Sequence, residues 1–155
     1  AVLVAVLAGW SLPDGSSAGA LPAAAPDWAQ TLTALDAARA AAFARADARA
    51  LDAVYVPGSA PHRADTALLT THARRGERVA DLHLVVVSVV ATTATAEEAT
   101  LDVTDRLLPY TAVDRTGRAV RRWPGRGERR WRITLRRTGT AWRIATVGPA
   151  PLDTP

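Results

Sequence analysis

The sequence predicts an α+β domain, with three short N-terminal helices packed on a curved antiparallel sheet of four to five strands. Two observations carry this. Up to Gly76 the apolar residues recur at intervals of three and four, and beyond it they fall into β-branched, extended runs. The later runs are joined by short Gly- and Pro-rich turns, which connect antiparallel neighbours. The 155 residues fit one domain with room for a tail, and a chain of that size buries roughly 70% of its unfolded surface without staples.

Composition removes several classes of function. There is no cysteine, so disulfides and thiolate metal sites are excluded. Alanine fills 34 positions, all 19 basic residues are arginine, and Lys, Asn and Met are absent. This is the amino-acid usage of a GC-rich genome, so an arginine here was not necessarily selected over lysine for its fork geometry. The absence of Met leads us to expect that the natural chain begins upstream.

Residues 1–10, from Ala1 to Trp10, are uncharged and apolar. Ten helical residues reach about 15 Å, half of a bilayer core, so the stretch reads as the outer end of a transmembrane helix or signal segment. Trp10 suits a membrane interface. Leu7-Ala8-Gly9 resembles the start of a lipobox, but Trp10 stands where the cysteine would be. Residues 11–26 are rich in Pro, Gly, Ser and Ala and read as a flexible linker. Together they suggest a domain held outside the cytoplasm, membrane-anchored or secreted.

The folded domain is expected over residues 27–148, with 149–155 as a tail. Asp27 and Gln30 form a capping-box pattern ahead of a stripe of Trp28, Leu32, Leu35, Ala38, Ala42 and Phe43. Asp47 caps a short second helix, Ala48 to Val54. Pro57-Gly58 makes a turn, and Ser59 caps a third helix with Pro61 in its first turn and Gly76 past its end. Leu82 to Val90 is apolar enough to suggest a strand covered on both faces. Thr100 to Tyr110 is a second strand, and Asp114 to Gly117 and Pro124 to Gly127 are turns around a short third. Arg129 to Arg137 alternates as a half-buried strand, and Ala141 to Val147 closes the sheet.

This order of elements resembles the nuclear-transport-factor-2-like (SnoaL-like, cone) superfamily, and its texture is similar to actinobacterial extracytoplasmic domains of that type. The matching segments are Leu35 to Phe43 with Leu51 to Tyr55, the Thr100 to Tyr110 strand, and the pair Trp131 to Leu135 and Trp142 to Val147. The resemblance implies a cone-like sheet curled around the helices with a pocket at its mouth. The superfamily hosts isomerases, cyclases, dehydratases and many non-catalytic binders, so fold alone does not choose among them.

An enzyme of this kind needs an acid or base inside the cone. Asp102 and Asp105 are three apart on a strand and so point to opposite faces. Asp105 shares its face with Leu101, Val103 and Leu107 and is the carboxylate expected to enter the core or pocket. A salt bridge to one of the arginines is the plainer role. His62 and His72 lie ten apart on one helix, about 15 Å along its axis, too far to share a metal. His83 stands alone on an extended run. No metal or cofactor is expected: no serine has the G-x-S-x-G setting, and no phosphate-cradling glycine pattern occurs.

The block from Arg115 to Arg143 holds eleven arginines, one acid (Glu128), and Trp123, Trp131 and Trp142. Arg118, Arg121, Arg122, Arg130, Arg132 and Arg136 are its candidate basic surface. An anionic partner in the cell envelope suits it, against a solvated face coloured by codon usage. Nucleic acid is not expected, because the tryptophans alternate with the arginines and face inward. The function expected is non-catalytic: sensing a small apolar or anionic ligand, or docking to an envelope partner. The candidate pocket residues are Tyr55, Asp105, Tyr110 and Trp131. The rival is a small cofactor-free isomerase, cyclase or dehydratase with Asp105 as base. A third reading, a homodimer formed through the sheet, requires a flat apolar sheet face and no cavity.

Overall fold

A computed structural model describes residues 26–151. The order is α1 (Trp28–Arg45), a 3₁₀ helix (Ala48–Ala53), α2 (Ala60–Arg74), then β1 (Arg78–Ala80), β2 (Leu84–Ala94), β3 (Glu98–Leu107), β4 (Tyr110–Val113), β5 (Ala119–Trp123), β6 (Arg126–Thr138) and β7 (Ala141–Pro149). The apolar segment 1–10 and most of the linker lie outside the described residues. Among the described residues no helix is long and apolar enough to cross a membrane.

The three helices begin where oxygen-bearing side chains take the orphan amides of a first turn. Asp27 accepts from the Gln30 amide at 3.0 Å, Asp47 from the Arg49 amide at 3.1 Å, and Ser59 from the His62 amide at 3.4 Å. α1 ends at Ala46, whose φ of 53° is left-handed, and its amide closes back on Ala42 and Phe43. α1 packs on β1 and β2, and α2 on β1 and β7.

The fold is α+β with antiparallel ladders, but the expected single sheet of four to five strands is corrected to two. Three strands pair in the order β1-β4-β5, and four in the order β2-β3-β6-β7. The expected Thr100 to Tyr110 strand breaks after Leu107, where Leu108 and Pro109 leave the ladder and Tyr110 starts β4 in the other sheet. Pro109 has no amide to donate, so a ladder cannot run through it unchanged.

The expectation that Leu82 to Val90 is covered on both faces is also overturned. β2 is the edge of the four-stranded sheet, with Val87 48% and Val90 61% exposed. A β-branched run satisfies an edge strand as well as a central one, so its composition alone does not place it. The core lies where the inner face of β3 (Ala99, Leu101, Val103) and Ile133 and Leu135 of β6 meet Leu32, Leu35 and Phe43 of α1. Leu51 and Val54, fully buried, close it from the 3₁₀ segment.

Candidate functional site

Between the helices and the inner faces of the sheets lies a cavity of about 440 Å³. That is within the usual range for a small-molecule site. Aliphatic side chains make most of its wall. Ala64 and Leu68 of α2 (Leu68 47% exposed) and Val147 of β7 (43% exposed) line it while open to solvent and mark an opening.

Tyr55, Asp105, Tyr110 and Trp131 all line this cavity. Tyr55 and Asp105 sit deep, at 4% and 5% exposure. The strand alternation that separates Asp102 from Asp105 holds. Asp102 faces outward and takes Arg132 at 2.8 and 3.0 Å. Asp105 faces inward, and its Oδ1 accepts from Arg126 Nη2 at 2.6 Å and from Trp131 Nε1 at 3.2 Å. Arg126 also lies over the Trp131 ring at 5.5 Å. Tyr110 stacks on Trp123 at 4.8 Å, and His72 meets the same indole edge-on.

Sequence reasoning missed a second set of polar groups in the wall. Asp36 and Arg39 of α1 and Asp65 and His72 of α2 all line the cavity. The signal was present: positions 32, 36, 39 and 43 advance by three and four, so Asp36 and Arg39 share the stripe of Leu32 and Phe43. Arg39 forks onto Asp65 at 2.5 and 3.1 Å, and the Tyr55 hydroxyl donates to the same carboxylate at 2.6 Å. Burial works against the Arg39 charge, but Asp65 outweighs it and holds the guanidinium firmly protonated. Burial, reinforced by Asp65 and opposed by Arg39, pushes the Tyr55 phenol above its ordinary range. His72 is tied through Nδ1 to Glu77 at 2.9 Å.

Asp36 is different. Its Oδ2 accepts the Leu84 amide at 2.9 Å, while its Oδ1 is buried with no hydrogen-bond partner among the described residues. Burial raises its pKa, and the Leu84 amide, Arg39 and His83 offset this only in part; the charge of Asp105 adds to the rise.

The six candidate basic residues do not form one free face. Arg118 precedes β5, which carries Arg121 and Arg122 in the three-stranded sheet, whereas Arg130, Arg132 and Arg136 lie on β6 in the other. Arg132 is neutralised by Asp102 and Arg136 by Glu98 at 2.9 Å, and Arg121 covers the Trp123 ring. The outer face of the four-stranded sheet pairs Thr100 with Thr134, Asp102 with Arg132, and Thr104 with Arg130. It is largely polar and ion-paired, with the exposed Val90 of the β2 edge beside Asp102.

Helices closed over two antiparallel sheets, with a cavity between them, match the nuclear-transport-factor-2-like fold, and the chain has that fold. It is similar to the intermembrane space region of the chloroplast protein ARC6, with a TM-score of 0.55 and 16% identity over 77% of this chain and 94% of that one. Weaker likenesses are to a protein assigned as a dehydratase of the NTF2-like family from Streptomyces avermitilis (TM-score 0.48, 14% identity, 82% of this chain and 100% of that one). Aln2 from another Streptomyces strain is similar at a TM-score of 0.47 and 13% identity, over 79% and 89% of the two chains. At such identities the likeness describes the fold and leaves activity open. No family profile and no curated protein sequence matches the chain.

Proposed function

We propose that residues 27–148 form a non-catalytic ligand-binding domain, held outside the cytoplasm by the apolar segment and linker that precede it. The observation that carries the binding reading is the cavity of about 440 Å³, apolar over most of its wall, with buried polar groups at a few points. Such a wall imposes no desolvation penalty on a mostly apolar small molecule and uses its polar groups to orient it. Asp105 supports binding over catalysis, because its charge is already engaged in the ion pair with Arg126, with the Trp131 indole holding the same oxygen.

The test is ligand-detected NMR and thermal shift on the full chain against a panel of small aromatic and alicyclic compounds. An Ala64→Trp variant, which plugs the cavity from α2, is the control. Saturable binding that the plug abolishes supports the reading. Binding that survives the plug, or none across the panel, removes it.

A further inference from the structure

Among the described residues, three carboxylates line the cavity, Asp36, Asp65 and Asp105, against two guanidiniums, Arg39 and Arg126. Both guanidiniums are already committed. Arg39 is forked onto Asp65, and Arg126 donates to Asp105 and to the Gly127 carbonyl. The surplus group is Asp36. Its side chain is only 9% exposed, and Oδ1 has no hydrogen-bond partner among the described residues. A buried charged acceptor left unpaired is costly, so a ligand that brings a donor to it gains by relieving that cost.

The charged groups that face Asp36 come from three elements. Arg39 flanks it on its own helix, the amide of Leu84 at the start of β2 and His83 just before it (3.9 Å from Oδ2) approach from the sheet, and Asp105 acts on it from β3. Arg39 is held away by Asp65, His83 is 54% exposed, and Asp105 is a like charge. None supplies a donor to Oδ1. The terminal torsion of an aspartate is broad, so a modest swing turns this oxygen toward a donor in the cavity.

We infer that the cavity selects an apolar molecule carrying a protonated amine, with the ammonium held by Asp36 on the side of the cavity that Asp105 also faces. The apolar body lies against the aliphatic and aromatic wall. An anionic head is disfavoured because, among the described residues, no guanidinium in the wall is unpaired. This narrows the earlier expectation of an apolar or anionic ligand, and it rests on the cavity being a ligand site at all.

Three probes share one ring system and differ only in the head: tryptamine, 3-ethylindole and indole-3-propionate. Calorimetric titration of the full chain is expected to rank them in that order, with tryptamine about tenfold or more tighter than 3-ethylindole, the gain of a charge-assisted hydrogen bond. Asp36→Asn is expected to erase the advantage of tryptamine and leave 3-ethylindole within about twofold. If 3-ethylindole binds as tightly as tryptamine, or indole-3-propionate binds tightest, the inference is overturned while the cavity stands as a binding site. If the tryptamine preference survives Asp36→Asn, Asp36 is not its source and the inference is overturned. Binding of none of the three overturns the cavity as a site for such ligands, and this inference with it. Should Asp36→Asn not fold, the ranking on the unaltered chain still decides the charge of the head.

Discussion

Arg39 and Asp65 stand 26 residues apart in the chain and meet in a two-point ion pair of 2.5 and 3.1 Å that ties α1 to α2. Their side chains are 18% and 13% exposed, so the pair is largely out of water. Removing one partner strands the other as an uncompensated charge. Asp65→Ala should therefore cost about 3–5 kcal/mol. Chemical denaturation gives the number directly. A loss below about 1 kcal/mol would mean that water or another group replaces the carboxylate.

Tyr55 adds a pH dependence at the alkaline end. Its phenol is raised from an ordinary value of 10.0 by burial and by the Asp65 carboxylate that accepts its proton. The folded chain therefore holds that proton above the pH at which the unfolded chain releases it. The stability this contributes is complete below about pH 10 and declines as pH rises from there through the folded value. Tyr55→Phe should flatten this decline and cost about 1.5–3 kcal/mol at neutral pH, the worth of a hydrogen bond to a charged group. Absorbance titration should show a late phenol ionisation that vanishes in Tyr55→Phe.

Asp36 makes the opposite kind of contribution. Its folded value lies above 3.8, with burial the largest cause. The folded chain then binds more protons than the unfolded chain just above pH 3.8, so stability falls as pH rises through the folded value. Above the folded value, the ionised group carries its burial as a net cost. Asp36→Asn should raise the melting temperature at pH 7, with the gain shrinking toward acid. A stabilising substitution that also loses ligand selectivity is the expected signature of a functional site. A lower melting temperature at pH 7 would show that the Leu84 amide bond outweighs the desolvation.

Burial separates the two faces of the four-stranded sheet in a way that substitution should reproduce. Leu101 on β3 has no exposure and packs in the core, whereas Val90 on the β2 edge is 61% exposed. Leu101→Ala is expected to cost about 2–5 kcal/mol, and Val90→Thr to stay within about 0.5 kcal/mol. Equilibrium denaturation measures both. A large loss at Val90 would show that the β2 edge is covered.

How much of this was readable beforehand depends on the range of the interaction. All three N-caps are local, and Asp27, Asp47 and Ser59 could be named from the residues that follow them. The inward turn of Asp105 needed only the period of a strand. The division into two sheets did not follow from the sequence, because β1 is three residues long and shows no alternation to detect. Nor did Arg39, Asp65 and Tyr55 read as one network, since their contacts span 10 and 26 residues. Asp36 and Arg39 lay on an apolar stripe from the start. In an alanine-rich helix the apolar face is poorly marked, and two charged residues on it look like solvated ones.

The junction between the sheets offers the sharpest test of how the site is positioned. Gly125 ends the β5–β6 turn with φ +82°, a conformation that costs any other residue about 1–2 kcal/mol. A Cβ there would also run into the Leu107 carbonyl oxygen and lie 2.8 Å from Leu108 C and Pro109 N. Those atoms are backbone and belong to the crossing from β3 to β4, so they cannot yield as a flexible side chain would. Gly139 makes the control: its φ is +62°, and a Cβ there would meet nothing within 4 Å. Gly139→Ala should show the left-handed cost alone, whereas Gly125→Ala should exceed it and force the β3–β4 crossing from the turn. Asp105 and Arg126 lie on either side of that contact, so their ion pair and the adjoining cavity wall should loosen together. Denaturation of both variants, with chemical shifts of the Trp131 indole amide as the local reporter, checks this. Equal costs for the two glycines, with an unmoved Trp131 signal, would mean that the crossing tolerates displacement and that Gly125 does not set the site.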